Sequence, residues 1–186
     1  TLDKALRYCE AEGIRLYRLP SSIFPFADED IGREVLAPFA TTLGRSGRRA
    51  LERGIRLVMH PDQFVVLNSD SEGVVANSVK ILQMHADIMD LLEQPRSPWA
   101  LLEIHGGKGN RADALVERIA LLPDAIRCRL GLENDEYAYG AQEIYEICMR
   151  AGVPMVFDAH HHVVHDKLDS YEDLSLIHIS EPTRQE

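Results

Sequence analysis

Short apolar segments alternate with helical segments along the whole chain, and this alternation limits the folds it can adopt. Five segments rich in β-branched and aliphatic residues are predicted as strands, at 14–19, 55–60, 99–105, 128–134 and 153–160. Five segments with helical spacing surround and separate them, at 2–13, 33–53, 71–94, 112–122 and 141–151. Strands that are apolar on both faces, such as 55–59, are typical of a parallel sheet covered by helices.

Two α/β architectures fit this alternation. One is a doubly wound open sheet, and the other is part of a (β/α)8 barrel. The glycine pattern of a dinucleotide fold is missing, since "HGGKGN" at 105–110 does not match G-x-G-x-x-G. A complete barrel needs about 250 residues. The 186 residues of this chain suffice for one domain and for about five of eight barrel units.

Composition restricts the setting in which the chain works. The sequence contains three widely spaced cysteines and no CxxC pair, which predicts reduced thiols and a cytoplasmic protein. No apolar segment approaches the roughly 18 residues of a membrane helix. The net charge of −10 argues against a nucleic-acid binder that relies on basic residues alone. A nucleic-acid enzyme is still compatible with this charge, because bound cations can supply positive charge.

Four successive predicted strands end in a side chain that can bind a metal ion. They are His60, His105, Glu133 and Asp158. Carboxyl ends of parallel strands meet at one edge of the sheet, so these side chains are expected to converge. Mixed imidazole and carboxylate ligands suit Mn, Zn or Fe. The alternative is that each has an ordinary structural role, such as a hydrogen-bonded histidine or a helix N-cap.

The histidine cluster and two loops add further candidates. His160, His161 and His162 cannot all point inward, because successive side chains diverge, and His165 is expected in a loop. Gln63 and Phe64 could stack on or probe a base, although Phe64 could equally be buried with its apolar neighbours. In "HGGKGNR", Lys108 and Arg111 are candidate phosphate contacts or parts of a solvated turn.

Taken together, the motifs resemble those of the UV damage endonuclease family. They occur in the order "YRLPSSIFPFA", "VMHPDQFVVLNS", "EIHGG", "LGLENDE" and "VPMVFDAHHH", within residues 5–173. The resemblance implies a (β/α)8 TIM barrel that holds a cluster of divalent metals, most often Mn2+, with Zn2+ or Mg2+ as alternatives. It also implies nicking of damaged double-stranded DNA immediately 5′ to cyclobutane dimers and 6-4 products.

Site residues follow from the same resemblance. It implies that the metal ligands are His60, His105, Glu133, Asp158 and His161. Gln63 and Phe64 resemble the pair that inserts at the lesion, and Lys108 would contact DNA. No membrane contact is expected, and the protein is expected to be a monomer.

The sequence also leads to predictions about the extent of the domain and about the two ends of the chain. Residues 1–173 are predicted to form part of a TIM-barrel domain, whereas 174–186, with "LSLIHISEPTR", resemble a translated sequencing adapter. The first strand of the family's barrel and its last two strands are not found in the sequence. We therefore expect exposed sheet edges, an incomplete metal cluster and little or no activity for this exact chain.

Two other functions remain open at the level of the residues. A sugar isomerase or epimerase on the same barrel would use similar Glu, Asp and His ligands. "HPDQF" at 60–64 favours the endonuclease, because a small sugar pocket has less use for a protruding glutamine and aromatic pair. A non-catalytic α/β binding module with structural histidines is the third hypothesis.

Overall fold

A computed structural model of the chain describes residues 1–21, 23–24, 34, 36–61 and 64–167. The strands in these ranges are β1 (Leu16–Leu19), β2 (Arg56–Met59), β3 (Leu102–His105), β4 (Leu130–Glu133) and β5 (Met155–Val156). The α-helices are α1 (Leu2–Ala11), α2 (Ala40–Glu52), α3 (Glu72–Leu91), α4 (Ala112–Ala120), α5 (Asp124–Arg127), α6 (Ala141–Ala151) and α7 (Ala159–Asp166). Short 3-10 turns at Ala37–Phe39 and Pro98–Ala100 precede α2 and β3.

The five strands form one sheet in which every neighbouring pair is parallel, in the order β1-β2-β3-β4-β5. A doubly wound sheet would reverse its strand order at a switch point, whereas a (β/α)8 barrel adds its strands consecutively. The observed order is therefore that of a barrel segment, as predicted.

A single apolar core lies between the sheet and the helices. Leu57, Leu102 and Leu132 from the strands are fully buried, as are Leu82 and Ile144 from the helices. No helix in the described ranges is both long enough and apolar enough to cross a membrane. In β2, the consecutive residues Leu57, Val58 and Met59 are all buried, so this strand is covered on both faces and lacks a polar and apolar alternation.

The prediction of the last strand is wrong in its length. We expected a strand over 153–160, but β5 covers only Met155–Val156 and α7 begins at Ala159. Asp158 is the N-cap of α7, and its Oδ1 accepts a hydrogen bond of 2.8 Å from the backbone N–H of His161. This capping bond starts the helix, because it satisfies an N–H group that has no partner within the helix. His165 consequently lies in α7 and not in a loop.

The remaining differences are small. Helix α5 was not predicted, since its four residues are too few to show a helical period. Within the predicted helix over 33–53, Glu34 and Leu36 are helical, a 3-10 turn follows at Ala37–Phe39, and α2 begins at Ala40. The predicted tail at 174–186 lies outside the described residues.

A very close contact between two helices gives a test of this packing. A Cβ atom on Gly47 would lie 1.7 Å from the carbonyl oxygen of Leu92, so α2 packs directly on the end of α3. We expect Gly47→Ala to lower the free energy of unfolding by about 1–3 kcal/mol, because the helix would have to move. Denaturant unfolding followed by circular dichroism measures the change.

Gly73→Ala is the matched control. Gly73 is also helical, but the nearest atom to an added Cβ is the Ser71 Oγ, at 3.7 Å. Alanine there should leave stability unchanged or raise it by about 0.5–1 kcal/mol, because it restricts the unfolded chain. Equal stability of the two variants would contradict the packing of α2 on α3.

Candidate metal centre

Glu133 is the central side chain at the carboxyl edge of the sheet. It ends β4, is buried, and lies opposite His105 in the register between β3 and β4. Its Oε2 is 3.0 Å from Nε2 of His60 and 3.8 Å from Nε2 of His105. The three side chains come from the ends of β2, β3 and β4, as the positions of the strand ends predict.

Two groups of donor atoms in this region have a geometry that could hold a cation. One group contains His60, His105 and Glu133, and the other contains Glu133, Asp158 and His161. Within each group the ligand atoms lie within 4.8 Å of one another. Glu133 belongs to both groups, which is the arrangement needed for two cations that share a carboxylate.

The hydrogen bonding of His60 fits a cation at this position. Its Nδ1 is 2.8 Å from the carbonyl oxygen of Pro61, so Nδ1 must carry the hydrogen in this contact. In a neutral ring, Nε2 then has a free lone pair that faces the Glu133 carboxylate. Two facing acceptors repel each other unless a proton or a cation lies between them.

The pKa values of the site reflect the same groups. The hydrogen bond to Glu133 raises the pKa of His60, against the opposing effect of burial. Burial lowers the pKa of His105, and the negative charge of Glu133 partly offsets this effect. Burial would raise the pKa of Asp158, but the His161 backbone N–H and the His161 charge hold it below its usual value. A neutral imidazole and an ionised carboxylate are the forms that bind metals.

Asn134 fixes Asp158 next to Glu133. Its Nδ2 donates to the carbonyl oxygen of Asp158, and its Oδ1 accepts from the Asp158 N–H, both at 2.9 Å. Asn134 is fully buried, so these two bonds join the end of β4 to the segment after β5 in a dry environment. We did not single out this residue from the sequence, although it directly follows Glu133 in "LENDE".

Glu103 is a second buried carboxyl that the sequence reasoning missed. It lies two residues before His105 on β3 and is 7% exposed. Burial and the nearby charge of Glu133 raise its pKa. Residues two apart on a strand point to the same face, so the pattern "EIH" already indicated that Glu103 faces the site.

The histidines of α7 have separate surroundings. The His161 ring lies 5.3 Å from the His105 ring, centroid to centroid, in an edge-to-face arrangement. The His162 ring is buried, 5.6 Å from Phe157, and its Nδ1 is 3.4 Å from Asp166. His160 has a 62% exposed side chain. Among these three rings, His161 is therefore the one that joins the candidate centre.

Of the residues predicted to contact DNA, the structure describes Phe64, Lys108 and Arg111. Phe64 is 77% exposed, so the alternative in which it is buried with its neighbours is wrong. Gln63 lies outside the described residues. Lys108 and Arg111 both form ion pairs with Asp70, in the loop that follows β2.

A cleft of about 430 Å³ opens over this cluster. Its lining includes all five residues of the two donor groups (His60, His105, Glu133, Asp158 and His161). Arg18 of β1 lies on the same cleft and brings a positive charge to it. The cleft can thus hold an anionic ligand against the candidate metal ligands.

The fold and the site together define the class of this protein, a (β/α)8-barrel protein with a polar centre at the carboxyl ends of its strands. Endonuclease IV from Thermus thermophilus is similar at a TM-score of 0.64 and 16% identity, over 94% of this chain and 64% of that one. A D-psicose 3-epimerase is similar at a TM-score of 0.63 and 16% identity, over 93% of this chain and 62% of that one. At these identities the likeness concerns the fold alone.

Closer matches establish the family. The model of the family UV-endonuclease UvdE matches residues 1–184, and this chain belongs to that family. The crystal structure of SacUVDE is similar at a TM-score of 0.84 and 30% identity, over 95% of this chain and 62% of that one.

Two curated relatives are about half identical to this chain. The UV DNA damage endonuclease of Nostoc sp. is 50% identical over 177 residues, which is 94% of this chain and 55% of the relative. The UV DNA damage endonuclease of Deinococcus radiodurans is 52% identical over 179 residues, which is 95% of this chain and 59% of the relative. The chain thus spans little more than half the length of these relatives.

Removal of the Asn134 amide tests how the site is held together. We expect Asn134→Ala to lower the free energy of unfolding by about 1–3 kcal/mol, because the Asp158 backbone groups lose their partner. Denaturant unfolding in the presence of EDTA measures this effect without any contribution from metal binding. Asn77→Ala, at an exposed position of α3, is the control and should be nearly neutral. Matching losses in both variants would contradict the proposed role of the amide.

Proposed function

We propose that this protein is a metal-dependent DNA repair endonuclease that nicks the backbone immediately 5′ to UV photoproducts, both cyclobutane dimers and 6-4 products. The observation that carries the proposal is the pair of donor groups that share Glu133, in a chain of the UvdE family. The substrate would be damaged double-stranded DNA. We expect the protein to act as a cytoplasmic monomer.

Residues of both donor groups would hold the metal. His60, His105 and Glu133 would bind one cation, and Glu133 with Asp158 and His161 a second. Mn2+ suits this mixture of imidazole and carboxylate, with Zn2+ or Mg2+ as alternatives. When bound, such cations activate water for attack and neutralise charge on the scissile phosphodiester.

The other groups of the site would position the DNA. Arg18, on the wall of the same cleft, would orient a phosphate by charge. Asn134 would keep the Asp158 carboxylate directed at the centre through the two backbone bonds described above. Burial of Glu133 and His60 limits the access of bulk water and so strengthens their interactions with a charged ligand.

Lesion selection would depend on the loop after β2. A photoproduct distorts its base stack, so extrusion of that dinucleotide costs less than extrusion of a normal one. The exposed Phe64 ring is available to fill the space left in the stack, with Gln63 beside it in the sequence. Lys108 would contact the DNA backbone.

The sugar isomerase hypothesis is supported only by a shared fold, since the epimerase likeness is at 16% identity. The hypothesis of a non-catalytic module requires that the described cluster bind no divalent metal. Metal binding and strand scission therefore separate the three functions.

Metal binding is expected to weaken in acid. The hydrogen bond to Glu133 raises the pKa of His60, so this ring holds its proton to a higher pH than an ordinary histidine. A proton on Nε2 competes with a cation, and as the pH falls the affinity for Mn2+ should therefore start to drop at a higher pH than for a site with an ordinary histidine. Calorimetric titration of the EDTA-treated chain across a series of pH values measures the change.

His60→Gln is the informative variant in this titration. It should bind Mn2+ more weakly, and the remaining binding should depend less steeply on pH. An affinity that is independent of pH in the unsubstituted chain would contradict the role of His60. Absence of Mn2+ and Zn2+ binding by the folded chain would favour the non-catalytic module.

Strand scission tests the function directly. The assay compares this chain with a version extended to the full length of the Nostoc relative, each with Mn2+ and a UV-irradiated or undamaged duplex. We expect the extended protein to cut 5′ to the photoproduct and the present chain to cut little or not at all. His60→Ala and Glu133→Ala should each reduce cleavage by about 100-fold or more, because each removes a ligand.

Asn77→Ala serves as the control for folding in this assay. Failure of a folded, metal-loaded extended protein to cut irradiated DNA would overturn the proposal. Sugar isomerisation would then be the next reaction to measure.

A further inference from the structure

Two buried side chains hold the backbone of the loop that carries Lys108 and Arg111. This Lys108 loop comprises residues 106–111 and lies between β3 and α4. The two side chains are Asn68, from the segment between β2 and α3, and Tyr139, from the segment between β4 and α6. They are 1% and 3% exposed. Both neighbouring loops therefore contribute a buried polar group to the backbone that carries the two cations.

Asn68 holds Lys108 at both of its backbone groups. The Asn68 Oδ1 accepts a hydrogen bond of 2.8 Å from the Lys108 N–H, and its Nδ2 donates to the Lys108 carbonyl oxygen, also at 2.8 Å. A further bond of 3.1 Å joins Nδ2 to the Gly106 carbonyl oxygen. A Cβ atom on Gly107, where φ is +75°, would lie 2.5 Å from the Asn68 Oδ1, so the glycine makes room for the amide.

The Tyr139 hydroxyl bridges two residues of the same loop. It donates to the Lys108 carbonyl oxygen at 2.8 Å and accepts from the Arg111 N–H at 2.9 Å. Burial raises the pKa of this hydroxyl, so it keeps the hydrogen that it donates. The ring packs closely on Gly106, where it leaves no space for a Cβ atom. Satisfied buried networks of this kind make a loop rigid.

The loop directs both of its cationic side chains to one point. Lys108 Nζ forms an ion pair with Oδ2 of Asp70, and Arg111 Nη1 forms one with Oδ1 of the same carboxylate. The side chains of Lys108 and Asp70 are 55% and 57% exposed, so a ligand can reach this point from solvent. A backbone phosphate also presents several anionic oxygens, and lysine and arginine are common partners for it. One phosphate could therefore contact both side chains.

We propose that Tyr139 and Asn68 are positioning residues that hold the Lys108 loop ready to bind one phosphate of the DNA backbone. The inference rests on the proposed function, which supplies DNA as the ligand. A loop that is already ordered loses less conformational entropy when it binds. The loop begins directly after His105, so a phosphate bound to it would also help to set where the strand crosses the metal centre.

A mutant cycle in duplex binding tests this role. The present chain is titrated with an undamaged duplex and Mn2+, because phosphate contacts do not depend on the bases. Anisotropy reports affinity, and a denaturing gel confirms that the strands stay intact. Tyr139→Phe keeps the buried ring and removes only the hydroxyl, and it should weaken binding by about 2- to 10-fold. The variant without both cations, Lys108→Ala/Arg111→Ala, should lose at least as much.

The decisive comparison is Tyr139→Phe in the background without the two cations. If the hydroxyl acts through these side chains, its removal there should change the affinity by less than about 2-fold. A hydroxyl with a purely structural role would have the same effect, or none, in both backgrounds. Circular dichroism confirms that each variant is folded. Tyr145→Phe, at a partly exposed tyrosine of α6, is the matched control and should bind like the unsubstituted chain.

Hydrogen exchange of the unsubstituted chain gives a second readout that needs no variant. The Lys108 and Arg111 amides donate to Asn68 and Tyr139, so in the free chain they should exchange at least about 100-fold more slowly than in an unfolded peptide. Rapid exchange at both amides would contradict a loop that is ordered before it binds.

The outcomes separate this inference from the proposed function. Equal effects of Tyr139→Phe in the two backgrounds, or duplex binding that does not depend on Lys108 and Arg111, would overturn the positioning role even if the extended protein cuts irradiated DNA. Absence of duplex binding by the folded chain would overturn it as well. Tyr139-dependent binding in a protein whose extended form does not cut irradiated DNA would support the positioning role and contradict the endonuclease.

Discussion

In-register parallel pairing of β3 with β4 is the constraint on which the site depends. It sets His105 opposite Glu133, and the pairing of β4 with β5 sets Glu133 opposite Val156, two residues before Asp158. Side chains alternate between the two faces of a strand, so a shift of one residue would turn Glu133 away from the histidines. The chemistry of this edge is thus a consequence of backbone hydrogen bonds.

Glu133 concentrates negative charge in a place with little solvent. A second carboxyl, Glu103, lies on the same face of β3 as His105, and the raised pKa of Glu103 reflects its burial and the charge of Glu133. His60 offsets part of this charge when it is protonated, which is why its own pKa is raised. Divalent cations would offset more of it, so folding and metal binding should favour each other in this region.

Much of this arrangement could be predicted from the sequence, because each strand end carries a distinctive residue. His60, His105 and Glu133 follow apolar runs, and the parallel order of the strands brings them together. Asp158 was harder to interpret, since an acid after an apolar run can end a strand or cap a helix. Asp158 caps a helix because it accepts a hydrogen bond from the His161 N–H, and this contact can be seen only in the structure. The ion pairs of Asp70 join loops that follow different strands, and no sequence period reports such contacts.

Those ion pairs bear on the proposed binding of DNA. In the free protein the carboxylate of Asp70 occupies the position beside Lys108 and Arg111 that a backbone phosphate would take. If DNA binds as proposed, a phosphate at this place would exchange one anion for another, so the net gain in charge pairing would be small. Such an exchange would release fewer counterions from the DNA than two free cations would, and it would make affinity less sensitive to salt. Asp70 is thus an internal anion that a DNA phosphate would have to displace before Lys108 and Arg111 could bind it.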